Sequence, residues 1–148
     1  MITISKALIS DIDELAVILD EYRQFYQQKS DVVAAKAFLK ERIQLEESVL
    51  FFAKKEHEMV GFTQLYPTFT SVGLGRTWLL NDLFVKSDYR NLGVAKLLIE
   101  KVIEFAKATN RTKIFLSTAT DNIVAQKLYE KIGFSRDDFY NYEFVVNE

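Results

Sequence analysis

A polar turn with one arginine and one glycine precedes the most amphipathic stretch of the chain. The turn reads DYRNLGVA at residues 88–95, and the apolar spacing after it predicts a helix. The first turn of a helix presents N–H groups without intrahelical partners, and the peptide dipoles add about half a positive charge there. Gly93 can take a positive φ and lets a ligand approach the backbone, while Arg90 can donate to a phosphate oxygen. The turn therefore predicts an anion site that suits phosphate.

The pattern R-x-x-G-x-A differs from two common phosphate motifs. G-x-x-x-x-G-K-[ST] is absent, and only Gly93 of G-x-G-x-x-G is present. An ordinary helix start can also contain the pattern R-x-x-G-x-A. The position of the pattern along the chain is what favours an anion site. It follows RTWLLNDLFVKS, which is apolar on both faces except at Asn81 and Asp82 and is typical of a strand covered on both sides.

A second polar group lies in DNIVAQKLYEKIGF at residues 121–134. Asp121 is a plausible N-cap for a helix beginning at Asn122, and Gly133 is a typical residue for its end. Ala125 and Tyr129 are four residues apart and share one face of that helix. Two readings remain open for Tyr129, because a helical tyrosine is commonly a core ring with its hydroxyl at the surface. Asn122 can likewise be a first-turn residue that closes the helix end.

Composition excludes several kinds of chemistry. The chain has no Cys and one His, which removes disulfides, a cysteine nucleophile and paired-ligand zinc sites, so we expect no metal. His57 lies in KKEHEM between two strand-like runs, where we expect a hairpin tip. The net charge of −2 argues against nucleic acid as a partner. Apolar runs are too short to cross a membrane and the N-terminus lacks a signal-peptide core, so we expect a cytoplasmic protein.

The 148 residues are expected to form one domain, residues 1–148. The apolar periodicities predict the order β-α-α-β-β-β-α-β-α-β, and hence an α/β mixed sheet with helices on both faces. Ser10 is the expected N-cap of the first helix, and Pro67 the expected end of the first hairpin. Residues 112–118 and 139–146 are predicted strands. The second helix is expected to turn Val33, Ala37, Leu39 and Ile43 inward, and the long helix Val94, Leu97, Leu98, Val102, Phe105 and Ala106.

The two polar segments, which lie in this order within residues 79–134, together resemble the GNAT superfamily of acyl-CoA-dependent N-acetyltransferases. Arg90-x-x-Gly93-x-Ala95 matches the family's [QR]-x-x-G-x-[GA] loop. Asn122, Ala125, Tyr129 and Gly133-Phe134 match its second motif. The resemblance implies a GNAT-like fold, in which a central, mostly antiparallel sheet contains a splayed parallel strand pair.

The resemblance also implies acetyl-CoA as the acyl donor and names the residues that hold it. Loop amides would hold the pyrophosphate, a bulged strand would meet the pantetheine arm through its main chain, and Asn122 would contact the coenzyme. Tyr129 would lie by the thioester sulfur. The cofactor-binding residues expected on this basis are Leu83, Phe84, Val85, Arg90, Asn91, Leu92, Gly93, Val94, Ala95, Lys96, Asn122 and Ala125.

The absence of Cys favours direct attack of an amine on the acetyl carbonyl. Tyr129 suits protonation of the departing thiolate, and the backbone N–H near Val85 suits the oxyanion. Asp82 is the candidate base, because burial raises the pKa of a carboxyl group; its alternative is a structural role beside Arg76 or a backbone amide. Asn81 stands where some polyamine-acetylating relatives carry Glu, which weakens a polyamine assignment and leaves Asp82 or a water chain as the base.

We expect the acceptor to be an amine, and a small molecule in preference to a protein. Aromatic side chains are expected to line the pocket that holds it. Candidates for this pocket are Tyr22, Phe25, Tyr26, Tyr66, Phe69 and Tyr140, and the alternative for each of them is a place in the core. A homodimer is compatible with the resemblance. The alternative is a non-catalytic acyl-CoA-binding or sensing domain, against which the retained Tyr129 argues.

Overall fold

Most of the strands and helices that the apolar pattern predicts are present in the computed structural model, which describes residues 1–147. The chain divides into two units, residues 1–117 and 118–148. The second unit contains α4 (Ile123–Ile132). The first contains β1 (Ile2–Lys6), α1 (Ile12–Phe25), α2 (Val32–Gln44), β2 (Val49–Lys55), β3 (Glu58–Thr70), β4 (Gly75–Val85), α3 (Val94–Ala108) and β5 (Ile114–Phe115), with 3-10 turns at Ile9–Asp11 and Ser87–Tyr89.

The first unit is built on a five-stranded sheet in the order β1-β2-β3-β4-β5. Neighbours from β1 to β4 are antiparallel, and β4 pairs with β5 in parallel. The predicted mixed α/β architecture, with one parallel strand pair, is confirmed. No helix in residues 1–147 is long and apolar enough to cross a membrane.

Both faces of the sheet are covered, which explains why β3 and β4 lack alternation between apolar and polar residues. On one face, α1 and α2 pack through Leu15, Ile18 and Leu39 against the rings of Phe62 and Phe84. On the other face, the buried residues of α3 pack against a second cluster, composed of Phe51, Ala53, Val60, Leu65, Trp78, Leu80 and Val85. The two layers therefore cover β4 on both of its faces.

Pro67 does not end the hairpin, contrary to the expectation. It lies within β3 opposite Trp78 of β4. The Trp78 N–H donates to Lys113 O at 3.0 Å, so the main chain of Trp78 faces β5 and needs no donor from Pro67. A proline is therefore tolerated inside a paired strand here.

The two predicted C-terminal strands are largely wrong. The strand expected over residues 112–118 is reduced to Ile114–Phe115, and residues 139–146 have no strand partner within residues 1–147. The 68–75 loop is also shorter than expected, since β3 continues to Thr70. By contrast, His57 lies at the exposed β2–β3 turn, as predicted.

Helix starts and buried faces differ in detail from the pattern. Ser10 lies in a 3-10 turn, and α1 begins two residues later with Asp11 as N-cap. In α2, Val33 and Ala37 are exposed, whereas Ala35 and Leu39 are buried. In α3, Leu97 is partly exposed and Ile99 is buried instead, because the helix lies rotated against the sheet relative to the predicted stripe.

A buried carboxylate joins α1 to the start of α2. Asp20 Oδ1 accepts from the Asp31 N–H at 2.6 Å, and Oδ2 accepts from Ser30 Oγ at 2.7 Å. These hydrogen bonds, led by that of Ser30 and assisted by the Arg23 charge, lower the pKa of Asp20. The lowered pKa means that the carboxylate form is the one that stabilises the fold.

We expect Asp20→Asn to lower the free energy of unfolding by about 1–3 kcal/mol near neutral pH, because one amide cannot accept from all these donors. Since the folded-state pKa is lowered, this contribution is complete above the unfolded-state pKa of about 3.9 and is lost as pH falls through the folded-state pKa. Urea unfolding at several pH values measures it. Asp13→Asn, in an exposed ion pair with Lys36, is the control and should change the free energy by less than about 1 kcal/mol. Equal losses for both variants would contradict the prediction.

Candidate functional site

Strand β4 contains one residue more than β3 at its centre. Gln64 faces Asp82 but Leu65 faces Leu80, so Asn81 is the extra residue of a β-bulge. Parallel pairing with β5 is confined to Trp78 and Leu79 in the described chain. Past the bulge, no strand of the described chain pairs with β4 on the side away from β3, and we call this side of residues 81–85 the open edge.

The open edge presents the main chain of alternate residues. The Lys86 N–H donates to Val60 O at 2.9 Å, so the main-chain groups of Lys86 point towards β3. This hydrogen bond fixes the direction of the main-chain groups in the preceding residues of β4. Because antiparallel pairs alternate, the N–H and C=O of Leu83 and Val85 point away from β3, towards the open edge. Phe84 instead directs its main chain at Phe62. Of the three strand residues expected to meet a pantetheine arm, two have main-chain groups at the open edge.

Arg90 ties the following turn to the end of β4. Its Nε donates to Val85 O at 3.0 Å, and its guanidinium carbon lies 5.5 Å and 5.8 Å from the ring centroids of Phe25 and Phe84. The arginine thus positions the turn through one of its five donors. The carbonyl of Val85 is engaged, and its N–H is left to the open edge.

The N-terminus of α3 has the geometry of an anion site. Gly93 is the N-cap with φ 82°, no side chain caps the helix, and the first intrahelical bond runs from the Leu97 N–H to Gly93 O at 3.1 Å. The N–H groups of Val94, Ala95 and Lys96 precede that bond, as free donors at a helix start do. A Cβ on Gly93 would meet nothing within 4 Å, so glycine is needed here for its backbone conformation. Asn91 in the same turn also has positive φ, and Leu92 is exposed.

Asp82 is buried on the face of the sheet covered by α1 and α2. Its Oδ2 accepts from Gln64 Nε2 at 2.9 Å and its Oδ1 from Asn81 Nδ2 at 3.1 Å. Within residues 1–147, Asp82 makes no ion pair with Arg76, which was the partner considered for a structural role of this carboxylate. Gln64, which sequence reasoning missed, is almost fully buried. The sequence feature that could have pointed to Gln64 is its single amide side chain within the mostly apolar run MVGFTQLY.

Asp82 contributes to the raised pKa values of two of the predicted pocket tyrosines. Burial first, and then the Asp82 charge, raises the pKa of the Tyr66 phenol to about 12. The same two causes raise the pKa of Tyr22, whose ring lies 5.6 Å from that of Phe84. In both tyrosines, burial is the larger of the two causes. Phe25, Tyr26, Phe69 and Tyr140 are exposed.

The second unit contains the other predicted site residues. Asn122, and not Asp121, is the N-cap of α4, and its Oδ1 accepts from the Ala125 N–H at 3.2 Å. Gly133 ends the helix with φ 128°, as expected. Tyr129 is half-buried, with its ring centroid 6.0 Å from that of Phe134. In the described part of the chain, no group of three His, Asp or Glu side chains is placed to hold a metal ion.

Comparisons with known proteins identify the family. Residues 14–134 match the model of the acetyltransferase (GNAT) family, so the chain belongs to that family. The chain is 40% identical over 134 residues to the uncharacterized N-acetyltransferase YhfO of Bacillus subtilis, with 90% of each protein covered. A crystal structure of a probable acetyltransferase superimposes with a TM-score of 0.93 at 38% identity, over 99% of both chains. A predicted acetyltransferase of Clostridium acetobutylicum, solved with acetyl-CoA, shares the fold at 17% identity, with a TM-score of 0.79 over 97% and 96% of the chains.

We expect Asp82→Asn to lower the pKa of Tyr66 from about 12, because removal of the carboxylate charge makes the phenolate less unfavourable. NMR titration with ring-labelled tyrosine, assigned through Tyr66→Phe, measures the shift. Asp11→Asn, which changes a partly exposed carboxylate at the α1 N-cap, is the control. An unchanged Tyr66 pKa in Asp82→Asn would show that the charge of Asp82 does not act on this phenol.

Proposed function

We propose that this protein is an acetyl-CoA-dependent N-acetyltransferase that acetylates a small primary amine by direct attack in a ternary complex. The observation that carries the proposal is the open edge of β4, which is continuous with an uncapped helix N-terminus. A CoA thioester combines an amide-rich arm with a diphosphate. An open strand edge and a helix start bind these two parts through main-chain hydrogen bonds.

The diphosphate is assigned to the amides of the turn before α3. The donors are the N–H groups of residues 91–96, where the helix dipole adds partial positive charge. Arg90 holds the turn against β4 through its hydrogen bond to Val85 O. The pantetheine arm is assigned to the main-chain groups of Leu83 and Val85. The solved neighbour that contains acetyl-CoA supports this donor for the shared fold.

The acceptor amine is assigned to the face of β4 on which Asp82 lies. An alkyl amine has a pKa of about 10.4 and must lose a proton before it attacks. Asp82 is the proposed base. Gln64 and Asn81 orient its two oxygens. The aromatic rings of Tyr22 and Phe84 favour a compact cation with apolar substituents.

The bond changes then follow in order. The amine nitrogen transfers a proton to Asp82 and attacks the acetyl carbonyl, and the Val85 N–H stabilises the oxyanion. The C–S bond breaks, Tyr129 donates its phenolic proton to the thiolate, and the second proton of the attacking nitrogen passes to the phenolate, so that the amide and the CoA thiol leave as neutral groups. Asp82 returns its proton to solvent, and the role of Tyr129 rests on the family motif. With no cysteine in the chain, no acyl-cysteine intermediate is required.

We expect Lys96→Glu to weaken acetyl-CoA binding about tenfold or more. A glutamate at this third helical position adds negative charge at the proposed diphosphate site and can fold back onto the free N–H groups. The fold should be retained, because an acidic residue in the first turn stabilises a helix. Isothermal titration calorimetry with acetyl-CoA measures the affinity.

Lys40→Glu on the exposed side of α2 is the matched control, since it makes the same charge change away from the turn. It should bind acetyl-CoA as the unchanged protein does. If both variants lose affinity equally, the effect is one of net charge alone. If the unchanged protein does not bind millimolar acetyl-CoA, the proposed function is wrong.

We expect Tyr129→Phe to lower kcat by about 10²-fold while leaving acetyl-CoA affinity nearly unchanged, because only the proton donor is removed. A mass-spectrometric screen of amines first identifies the acceptor, and steady-state kinetics then measures the variant. Asp82→Asn should also lower kcat, because the proposed base is removed. Tyr142→Phe, which also removes one phenolic hydroxyl, is the control. Binding without turnover on any amine would favour the acyl-CoA-sensing alternative.

A further inference from the structure

The hairpin formed by β3 and β4 extends beyond the strands that flank it in the first unit. β2 pairs with β3 only as far as Leu65, and β5 pairs with β4 only at Trp78 and Leu79. Between those points, β3 and β4 pair only with each other in the described chain. We call residues 69–74, where the two strands are joined, the hairpin tip. The tip therefore projects from the end of the sheet.

The hairpin tip exposes three large apolar side chains. Phe69, Val72 and Leu74 are 76%, 101% and 91% exposed. Leu74 also has a φ of 52°, a left-handed conformation that favours Gly or Asn and is costly for leucine. A turn that only joined two strands would be more stable with Gly or Asn at this position. Because Val72 and Leu74 bury almost no surface within residues 1–147, the apolar tip gains little from packing inside this chain.

Two arginines lie behind the tip on one face of the sheet. Arg76 is directly opposite Phe69 in the β3–β4 pair, so their side chains share a face. Trp78 is two residues further along β4 and is on the same face, and the guanidinium carbon of Arg111 lies 4.1 Å from the centroid of its ring. Burial first, and then the Arg76 charge, lowers the pKa of the Arg111 guanidinium. The two arginines therefore repel each other, and a nearby anion would offset this repulsion.

The segments around these arginines contain no acidic residue, although the chain as a whole has a net charge of −2. No Asp or Glu lies within residues 59–81 or within residues 105–120. The Thr112 N–H donates to Arg76 O at 3.0 Å, which brings the two segments together. Their four basic residues form no ion pair within residues 1–117, and these residues are Arg76, Lys107, Arg111 and Lys113. This end of the first unit is therefore locally positive.

We propose that the hairpin tip and the basic residues behind it dock on the surface of an anionic lipid bilayer. The apolar side chains of the tip enter the boundary between headgroups and acyl chains, and the basic side chains contact the anionic headgroups. Three side chains on a narrow turn do not supply the roughly 800 Å² per partner of a standard protein interface. A nucleic acid would use the cations but not Val72 and Leu74, which cannot stack on bases. A bilayer uses both features.

Docking through the tip leaves the turn before α3 free. The tip precedes β4 and that turn follows it, so the 11 residues of the strand separate the two by about 30 Å. Neither Asp82 nor the α3 turn takes part in the contact with the bilayer. The inference therefore does not depend on the proposed function.

Vesicle sedimentation tests the docking without reference to activity. The unchanged protein is mixed with vesicles of phosphatidylcholine that contain about one third phosphatidylserine, and separately with vesicles of phosphatidylcholine alone. We expect binding to the anionic vesicles to be about tenfold tighter or more, and this difference should shrink at about 1 M salt, where charges are screened within about 3 Å. Equal binding to both kinds of vesicle, or no binding to anionic vesicles at millimolar lipid, overturns the proposal.

The tip variant, Val72→Asp/Leu74→Asp, should weaken binding to anionic vesicles about tenfold or more, because the inserted apolar groups are replaced by negative charges. Val32→Asp/Val33→Asp is the matched control. It makes the same charge change at exposed valines in the first turn of α2, where acidic residues are tolerated, and should bind as the unchanged protein does. Melting followed by circular dichroism checks that both variants fold. Equal losses of binding in both variants overturn the proposal, because net charge alone then explains the effect.

A second pair of variants tests the basic residues. Arg76→Gln/Lys107→Gln should weaken binding to anionic vesicles about tenfold or more and leave binding to neutral vesicles unchanged. Lys29→Gln/Lys40→Gln, which removes two exposed cations elsewhere, is the control and should change neither. If the Arg76→Gln/Lys107→Gln variant binds anionic vesicles as tightly as the unchanged protein, the proposal is wrong. It is also wrong if that variant loses binding while the tip variant keeps it, since the surface then binds anions without inserting into a bilayer.

Discussion

The extra residue in β4 is the constraint on which the candidate site depends. A bulge at Asn81 changes the register between β3 and β4. Upstream of it, Trp78 and Leu79 pair with β5; downstream, the main chain of Leu83 and Val85 faces an edge that is open in the described chain. A bulge both terminates pairing and redirects a side chain. Here it opens the edge and places Asp82 beside Gln64.

The rigidity of this arrangement comes from the two apolar layers. α1 and α2 cover the face that contains Asp82, and α3 covers the other. Because α3 packs along its length through buried residues, its N-terminus is held at the end of β4. Arg90 completes the junction with one hydrogen bond to Val85 O. A ligand that spans the strand edge and the helix start therefore meets donors that are already in position, which limits the entropy lost on binding.

Sequence reasoning succeeded where a property is local. The amphipathic α3, the positive φ at Gly93 and the helix end at Gly133 follow from spacing and from the conformational freedom of glycine. It failed where a partner from elsewhere in the chain decides. The tolerance of Pro67 depends on the direction of the Trp78 N–H, and the hydrogen bonds of Asp82 depend on a residue of the neighbouring strand.

The amino-acid sequence by itself determined the family, the mixed sheet with helices on both faces, and the turn before α3, because periodicity and short motifs encode these features locally. Only the tertiary structure decided the position of the bulge, the choice of Gln64 and Asn81 as donors to Asp82, and the direction of each main-chain group along β4. The register between strands is a long-range property, and a shift of one residue redirects every side chain. The alternation of residues 139–146 also follows from the sequence, but their lack of a strand partner within residues 1–147 does not.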